Sequence, residues 1–415
     1  MRFDVDDPWL AAAAWSRLAE PGDVVAGSLV AHLGAAGALA WLVEAAADPV
    51  ATLRAPVLDG LDVPPSASPS ASAAPSRAAT GEPRHRNAAL RLLDAVGRWV
   101  PRLDSLDPRR ELRVLERLGG ALLVPGDPDW PGQLDALGAA APFALWVRGR
   151  ADVADWARGS VAVVGARAAT AYGERVAEDL AAGLADQGFT VVSGGAYGID
   201  AAAHRGALAA GGRSAAVLAG GVDRYYPQGN DGLLRRLVEH DGAVVAEVPP
   251  GSAPFRQRFL ARNRVIAALT SSTVVVEAAR RSGALSTARR AVELLRPVGA
   301  VPGPVTSMAS TGCHGLLRDG VAVCITSAAD AVELAGPVGS SVQGPEETAL
   351  VDPVDALGPD ERLLLDALPV RQSATVDSLV RSAGLPARRV VTLLGALERC
   401  GLARRDGARW RRAPS

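Results

Sequence analysis

Lysine is absent: all 44 basic residues of this 415-residue chain are arginine. With its abundant alanine, that is the composition of a GC-rich coding sequence, so arginine was not chosen here over lysine for its planar fork. Cysteine is scarce, and Cys313, Cys324 and Cys400 form no CxxC pair. A disulfide framework and a cysteine zinc site are thereby excluded, and a reducing cytosol fits. The five histidines, His204 and His314 among them, show no metal-ligand spacing. Net charge is nearly absent at -1, so any binding of a polyanion must come from local patches. The acidic start MRFDVDDPWL has neither the basic nor the apolar region of a secretory signal. No run reads as the roughly 18 uncharged apolar residues of a membrane span. A soluble, cytoplasmic chain is expected.

With 48% hydrophobic residues, the chain has material for about two to four domains. Residues 8–56 carry helical apolar spacing in WLAAAAWSRLA and GSLVAHLGAAGALAWLVEAAA, split by the breaker EPGD. The tract PPSASPSASAAPSRAATGEPRHR (64–86) cannot bury a core. It predicts a disordered insertion, bounded at 60–87, within a helical unit of residues 1–111; helix resumes at NAALRLLDAVGRWV. From 112 to 335 short β-rich runs alternate with amphipathic helices. The strands are VAVVGA (161–166), TVVSG (190–194), SAAVLA (214–219), AVVAEV (243–248), TVVVEA (273–278) and GAVPG (299–303). This alternation predicts an α/β fold, a doubly wound and mostly parallel sheet with its ligand crevice at the carboxyl ends of the strands. A linker at 336–351 leads to a unit of residues 352–415. Helices are expected there near 359–368, 375–383 and 386–400, then a hairpin around LARRDGARWRR. Ten arginines from Arg371 to Arg412 stand against Asp377, Glu398 and Asp406. Three helices and a basic hairpin predict a winged helix, with duplex DNA and a protein partner both left open.

The chemistry concentrates in loops after the strands. In VVGARAATAYG, Gly165 allows a close backbone approach, Arg167 supplies charge, and a helix starting near Tyr172 offers free N–H groups. Together they make an anion cradle or a tight structural turn. It is not GxGxxG, and no acidic residue closes the second strand to hold a ribose; no cofactor is expected. SGGAYGIDAAAH sets Ser193, Gly194, Gly195 and Gly198 in a donor-rich loop before a helix. Asp200 and His204, at i and i+4, are expected to hydrogen-bond and fix that loop in preference to acid–base catalysis. In GGVDRYYPQGN, Tyr225 and Tyr226 are placed either to stack on bases or to pack.

PPGSAPFRQRFLARNRVIAAL is the most telling stretch. Arg256, Arg258, Arg262 and Arg264 fall within nine positions, with Phe255 and Phe259 interleaved. Guanidinium groups for phosphates beside rings for bases is the chemistry of single-strand binding. The plain alternative makes the rings core and the arginines solvated. Arg262 and Arg264 flank Asn263 at what reads as a helix start, where the dipole disfavours cations, so an anion would complete the arrangement. In VVVEAARRSGALSTARRAVEL, Ser282, Gly283, Ser286 and Thr287 form a polar loop suited to a further phosphate, and Glu277 is placed to orient the arginines or accept from a base.

GAR…YG, SGGAYGIDAAAH, GGVDRYYPQGN, FLARNRVIA, VVVEA…SGALSTA and VPGPVTSMASTGCHGLLRDG stand in the order and spacing of the DNA-processing protein A (Smf) family. The chain resembles that family over residues 112–335. GDPDWPGQLDALGAAAPFALWVRG resembles the lead-in to its extended Rossmann domain, the N-terminal helices its SAM-like domain, and 352–412 its winged helix. The resemblance implies a nonenzymatic homodimer, joined through the Rossmann domain. Such a protein binds and protects incoming single-stranded DNA and loads the recombinase RecA during natural transformation. Carried onto this chain, the implied DNA cradle is Gly165, Arg167, Ser193, Gly194, Phe255, Arg262, Asn263 and Arg264. Reversing the charges of Arg262 and Arg264 together is then expected to weaken strand binding without unfolding. Val248 in AEVPP, His314 and Ser286 depart from the residues common in the family.

Two other classes stay open. A nucleotide phosphoribohydrolase of the cytokinin-activating (LOG) type pairs a Gly-rich first turn with SGG after strand two. Its catalytic acid, however, would fall in RSGALSTARRA, where Arg289 and Arg290 stand. A transcription regulator would read duplex DNA with the winged helix and sense a nucleotide in the Rossmann unit.

Overall fold

Among the described residues, nine strands form the centre of the larger of two units, which divide the chain at residues 341 and 342. The structure, a computed structural model, describes residues 3–48, 82–336, 357–370 and 372–413. The strands are β1 (Gly120–Leu123), β2 (Leu145–Gly149), β3 (Ser160–Val164), β4 (Thr190–Ser193), β5 (Ser214–Leu218), β6 (Ala243–Ala246), β7 (Ser272–Val275), β8 (Val298–Ala300) and β9 (Val323–Cys324). They lie in the order β1-β2-β6-β5-β4-β3-β7-β8-β9. β2 runs antiparallel to β1 and β6, and the remaining pairs are parallel. The expected mostly parallel α/β sheet is present.

The helices of this unit are α1 (Pro8–Leu18), α2 (Val24–Ala47), α3 (Glu82–Leu103), α4 (Pro108–Arg117), α5 (Val153–Arg158), α6 (Ala171–Asp186), α7 (Ile199–Ala209), α8 (Asp231–Glu239), α9 (Arg256–Leu269), α10 (Ala284–Glu293), α11 (Thr311–Arg318) and α12 (Ala328–Ala335). They cover both faces of the sheet. Val161 and Val163 of β3 join one apolar cluster with Val191 and Val274, while Ala162 and Val164 join the other with Val192 and Val275. That is the period of two expected of a strand, and burial on both sides is why these strands read as unbroken apolar runs. From β3 the chain winds through β4 and β5 to β6, and α9 then returns it to β7 on the other side of β3. The reversal opens a crevice between the carboxyl ends of β3 and β7.

The N-terminal helices pack around Trp15, Leu29, Leu39 and Trp99, with Trp15 and Trp99 edge to face at 5.3 Å. One expectation is corrected here. Residues 24–43 contain no Asp, Glu, Lys or Arg, and α2 is long and apolar enough to cross a membrane by length and composition. It is N-capped by Asp23, broken at Gly34 (φ 72°), and buries Leu29, Leu39 and Leu42 against α1 and α3. α4 runs across residue 111, and Leu115 shares a cluster with Ala12, Leu122 and Trp146, so these helices and the sheet have a common core. The Pro/Ala/Ser tract lies outside the described residues up to residue 81, and α3 starts at Glu82, five residues before the expected restart at Asn87. Most of the expected 336–351 linker, from residue 337 onward, is also outside them.

The smaller unit holds α13 (Pro359–Ala367), α14 (Val376–Ala383) and α15 (Ala387–Arg399), with β10 (Ala374–Thr375), β11 (Ala403–Asp406) and β12 (Arg409–Arg412). Its sheet is antiparallel in the order β10-β12-β11. Leu364, Leu379, Val390, Leu394 and Trp410 form its core.

Candidate nucleic-acid interface

The crevice holds a cleft of about 440 Å³. Gly165 and Arg167 after β3, Ala196 after β4, and Ser282 and Gly283 after β7 form its rim. One face of α9, with Phe255, Arg256, Phe259, Arg262 and Asn263, forms a wall, and Asp200 and Thr287 lie deeper. Tyr226 closes one side.

Both glycine loops expected to cradle phosphates are already occupied by carboxylates of the chain itself. After β3, the Thr170 amide donates to Glu277 at 2.9 Å and its hydroxyl donates to the same carboxylate at 2.6 Å. Thr170 also caps α6 by accepting from the Gly173 amide, so the favourable anion at this helix start is Glu277. Glu277 therefore orders the first loop, and not the arginines. The close approach at Gly165 is likewise internal: a Cβ there would sit 2.5 Å from Ile199 and 2.9 Å from the Glu277 carbonyl. In the second loop the amides of Gly194 and Ala196 donate to Asp200 at 3.1 and 3.3 Å. Asp200 and His204 do not pair. His204 Nδ1 lies 2.7 Å from Ser214 Oγ, whose proton goes to the Val191 carbonyl, so Nδ1 carries the hydrogen. Burial, with Arg262 adding to it, holds His204 down to about 3, a neutral imidazole.

The positive charge of the cleft thus comes from side chains. Arg262 is buried against Gly194, where a Cβ would fall 2.1 Å from Nη1. It donates to the Val217 carbonyl, and its Nε has no partner among the described residues. Burial draws this arginine down to about 10, with Asp200 opposing and Arg167 adding to the effect. Burial also pushes the Asp200 carboxyl up, against the pull of Arg262. At the rim, Arg167 and Arg256 are exposed and form no ion pair among the described residues. Arg167 lies over the Phe259 ring at 4.8 Å, and Phe259 meets Tyr226 at 5.8 Å. Arg258 sits over Phe255 at 4.5 Å but is held by Glu20 at 2.8 Å.

Twelve of the residues singled out from sequence line the cleft: Gly165, Arg167, Asp200, Tyr226, Phe255, Arg256, Phe259, Arg262, Asn263, Ser282, Gly283 and Thr287. Ser193 lies beneath it, its hydroxyl donating to the Val163 carbonyl at 2.7 Å, and Gly194 and Gly195 are buried with it. Ser286 and Thr287 belong to α10 and not to a loop, and Ser286 is not part of the lining. Arg264 is the principal correction. Its guanidinium is buried on Glu247, with Nη1 at 2.8 Å from the carboxylate and Nε donating to the Ala140 carbonyl at 2.8 Å. α9 starts at Arg256, so Arg262 and Arg264 lie in its interior. Two positions along a helix turn a side chain by about 200°, so the two arginines face opposite ways. Val164, Ala196, Pro254, Leu260, Ile266 and Ala284 complete the lining. Phe259 was legible in its i+3 spacing from Arg256 and i−4 spacing from Asn263.

These elements define a doubly wound α/β protein with a basic, aromatic-walled cleft at the switch point of its sheet. Residues 121–336 match the family described as DNA recombination-mediator protein A, and the chain belongs to that family. It is 48% identical over 311 residues to the DprA-type DNA processing protein of Mycobacterium tuberculosis (strain ATCC 25618 / H37Rv), covering 72% of this chain and 79% of the relative. Protein Smf of Escherichia coli (strain K12) is 38% identical over 283 residues, 67% of this chain and 74% of that one. The X-ray structure of DNA processing protein A from Streptococcus pneumoniae superposes with a TM-score of 0.53 at 33% identity, covering 61% of this chain and 86% of that chain.

Proposed function

We propose that this protein is a cytoplasmic, nonenzymatic mediator of recombination that holds single-stranded DNA in the cleft and hands it to RecA. The observation that carries the reading is Arg262, a buried cation lining a cleft edged by Phe255, Phe259 and Tyr226 and by Arg167 and Arg256, which form no ion pair among the described residues. The guanidinium charges draw a phosphate, and the rings accept bases of any sequence. The names of the relatives, DNA processing proteins, agree with it. Residues 1–111 are read as a SAM-like unit and 352–415 as a winged helix, with α15 in the recognition position and β11–β12 as the wing. Asp200 is the sole carboxylate in the lining. It is engaged by two loop amides, which gives a phosphoribohydrolase reading no positioned acid.

Fluorescence anisotropy of the full-length protein with labelled oligothymidylate and a matched duplex, across a salt series, tests this. Tight single-strand binding is expected. Arg167→Gln with Arg256→Gln should flatten the log–log salt slope by about 1.4, two phosphate contacts on a single strand. Assembly of RecA on the bound strand follows as the functional readout. A double variant with wild-type affinity and slope would remove the cleft from the reading. A preference for duplex would move the function to the C-terminal unit.

A further inference from the structure

We infer that the strand path continues past Tyr226 into a second cavity, of about 580 Å³, which takes the next nucleotide of the same single strand. The inference rests on the single-strand reading of the first cleft. The second cavity lies beyond the carboxyl ends of β5 and β6, between the loops that leave those strands, and Arg224, Tyr225, Tyr226, Gln228 and Pro254 line it. Tyr226 and Pro254 border both cavities, so the two are adjacent.

Three observations fit a nucleotide there. Tyr226 is 49% exposed, and its ring meets Phe259 at a tilt of 53°, which leaves ring surface for a base. Tyr225, only 5% exposed, belongs to the lining, and its buried hydroxyl has no partner among the described residues. One exposed cation is available: Arg224 has no partner among the described residues, while Asp231 is paired with Arg235 at 2.7 Å and Asp223, still charged, accepts the Gly251 amide at 2.8 Å. The distance also fits. From β3 to β6 is three inter-strand steps, about 14 Å. That is several times the stacked base separation of about 3.4 Å, so a strand crossing both cavities presents more than one nucleotide.

The test is anisotropy on full-length protein with labelled oligothymidylates of increasing length, comparing wild type with Arg224→Gln and Tyr226→Ala. Wild type should gain affinity in two stages as the oligomer grows. Arg224→Gln, a change at an exposed side chain, should bind the shortest oligomers like wild type. It should lose the second gain, with a salt slope lower by about 0.7 on long ones. Tyr226→Ala should weaken long oligomers by about 5- to 150-fold, the range spanned by stacking of one base. If Arg224→Gln keeps both the second gain and the slope, the second cavity is not part of the path. A wild type that binds short oligomers and gains nothing with length overturns the second cavity alone. One that binds no oligomer overturns the first cleft, and the extension with it.

Discussion

Two arginines one residue apart have opposite fates. Arg262 lines the cleft, its Nε without a partner among the described residues, whereas Arg264 is buried on Glu247 as one half of an enclosed ion pair. Removing one partner of such a pair leaves the other charge buried and alone, which costs about 3–5 kcal/mol. We therefore expect Arg264→Met to lower unfolding free energy by that amount in urea, while the apolar variant pair Arg264→Met with Glu247→Leu recovers most of it. A single variant as stable as wild type would mean the pair is solvated. Reversing both arginines, attractive on sequence grounds as a clean test of binding, would unfold the domain for the same reason. The misreading has a definite cause. Placing the helix start at residue 260 made the two side chains neighbours of one anion. The true start at Arg256 sets them about 200° apart. Burial partners such as Glu247, 17 residues away, leave no local mark in a sequence.

At the scale of elements, the consecutive strands β3 to β8 were legible, and the antiparallel pair β1 and β2 and the edge strand β9 were not. β3 to β8 announce themselves as apolar runs ending in glycine or polar loops, whereas β9 has two residues, both exposed. The cleft was legible as a set of loops following strands. That those loops are closed by Glu277 and Asp200 was not, because a carboxylate written near a glycine loop reads equally as ligand or as plug. Contacts between α1 and α4 supply a titration. Glu111 meets Arg17 at 2.6 Å, yet its Oε2 has no partner among the described residues, and burial pushes the carboxyl up to about 7 against the pull of Arg17. Between 4.5 and 7 the folded chain holds a proton that the unfolded chain has released. Stability must then fall as pH rises through that window and level off above it. Glu111→Gln should flatten this limb in a plot of Tm against pH. An unchanged slope would assign the titration to another group.

For the whole molecule, the sheet is unequal at its two edges. One edge ends in β1, with α4 packed beside it. The other ends in β9, where Val323 is exposed and one row of backbone groups is unpaired within the sheet. We propose this open edge as the seat of the homodimer that the resemblance implies. Light scattering should give twice the chain mass, and Val323→Asp should halve it while leaving the circular dichroism spectrum intact. A wild-type monomer would leave the edge without that role.

The internal carboxylates have a kinetic meaning as well. Because Glu277 and Asp200 hold the rim loops by hydrogen bonds made when the chain folds, no loop has to be ordered when a strand arrives. The entropy of ordering is settled beforehand, and docking is close to rigid-body. Capture should therefore be limited by electrostatic encounter, with an association rate that falls with salt and shows no saturating, rearrangement-limited phase at high strand concentration.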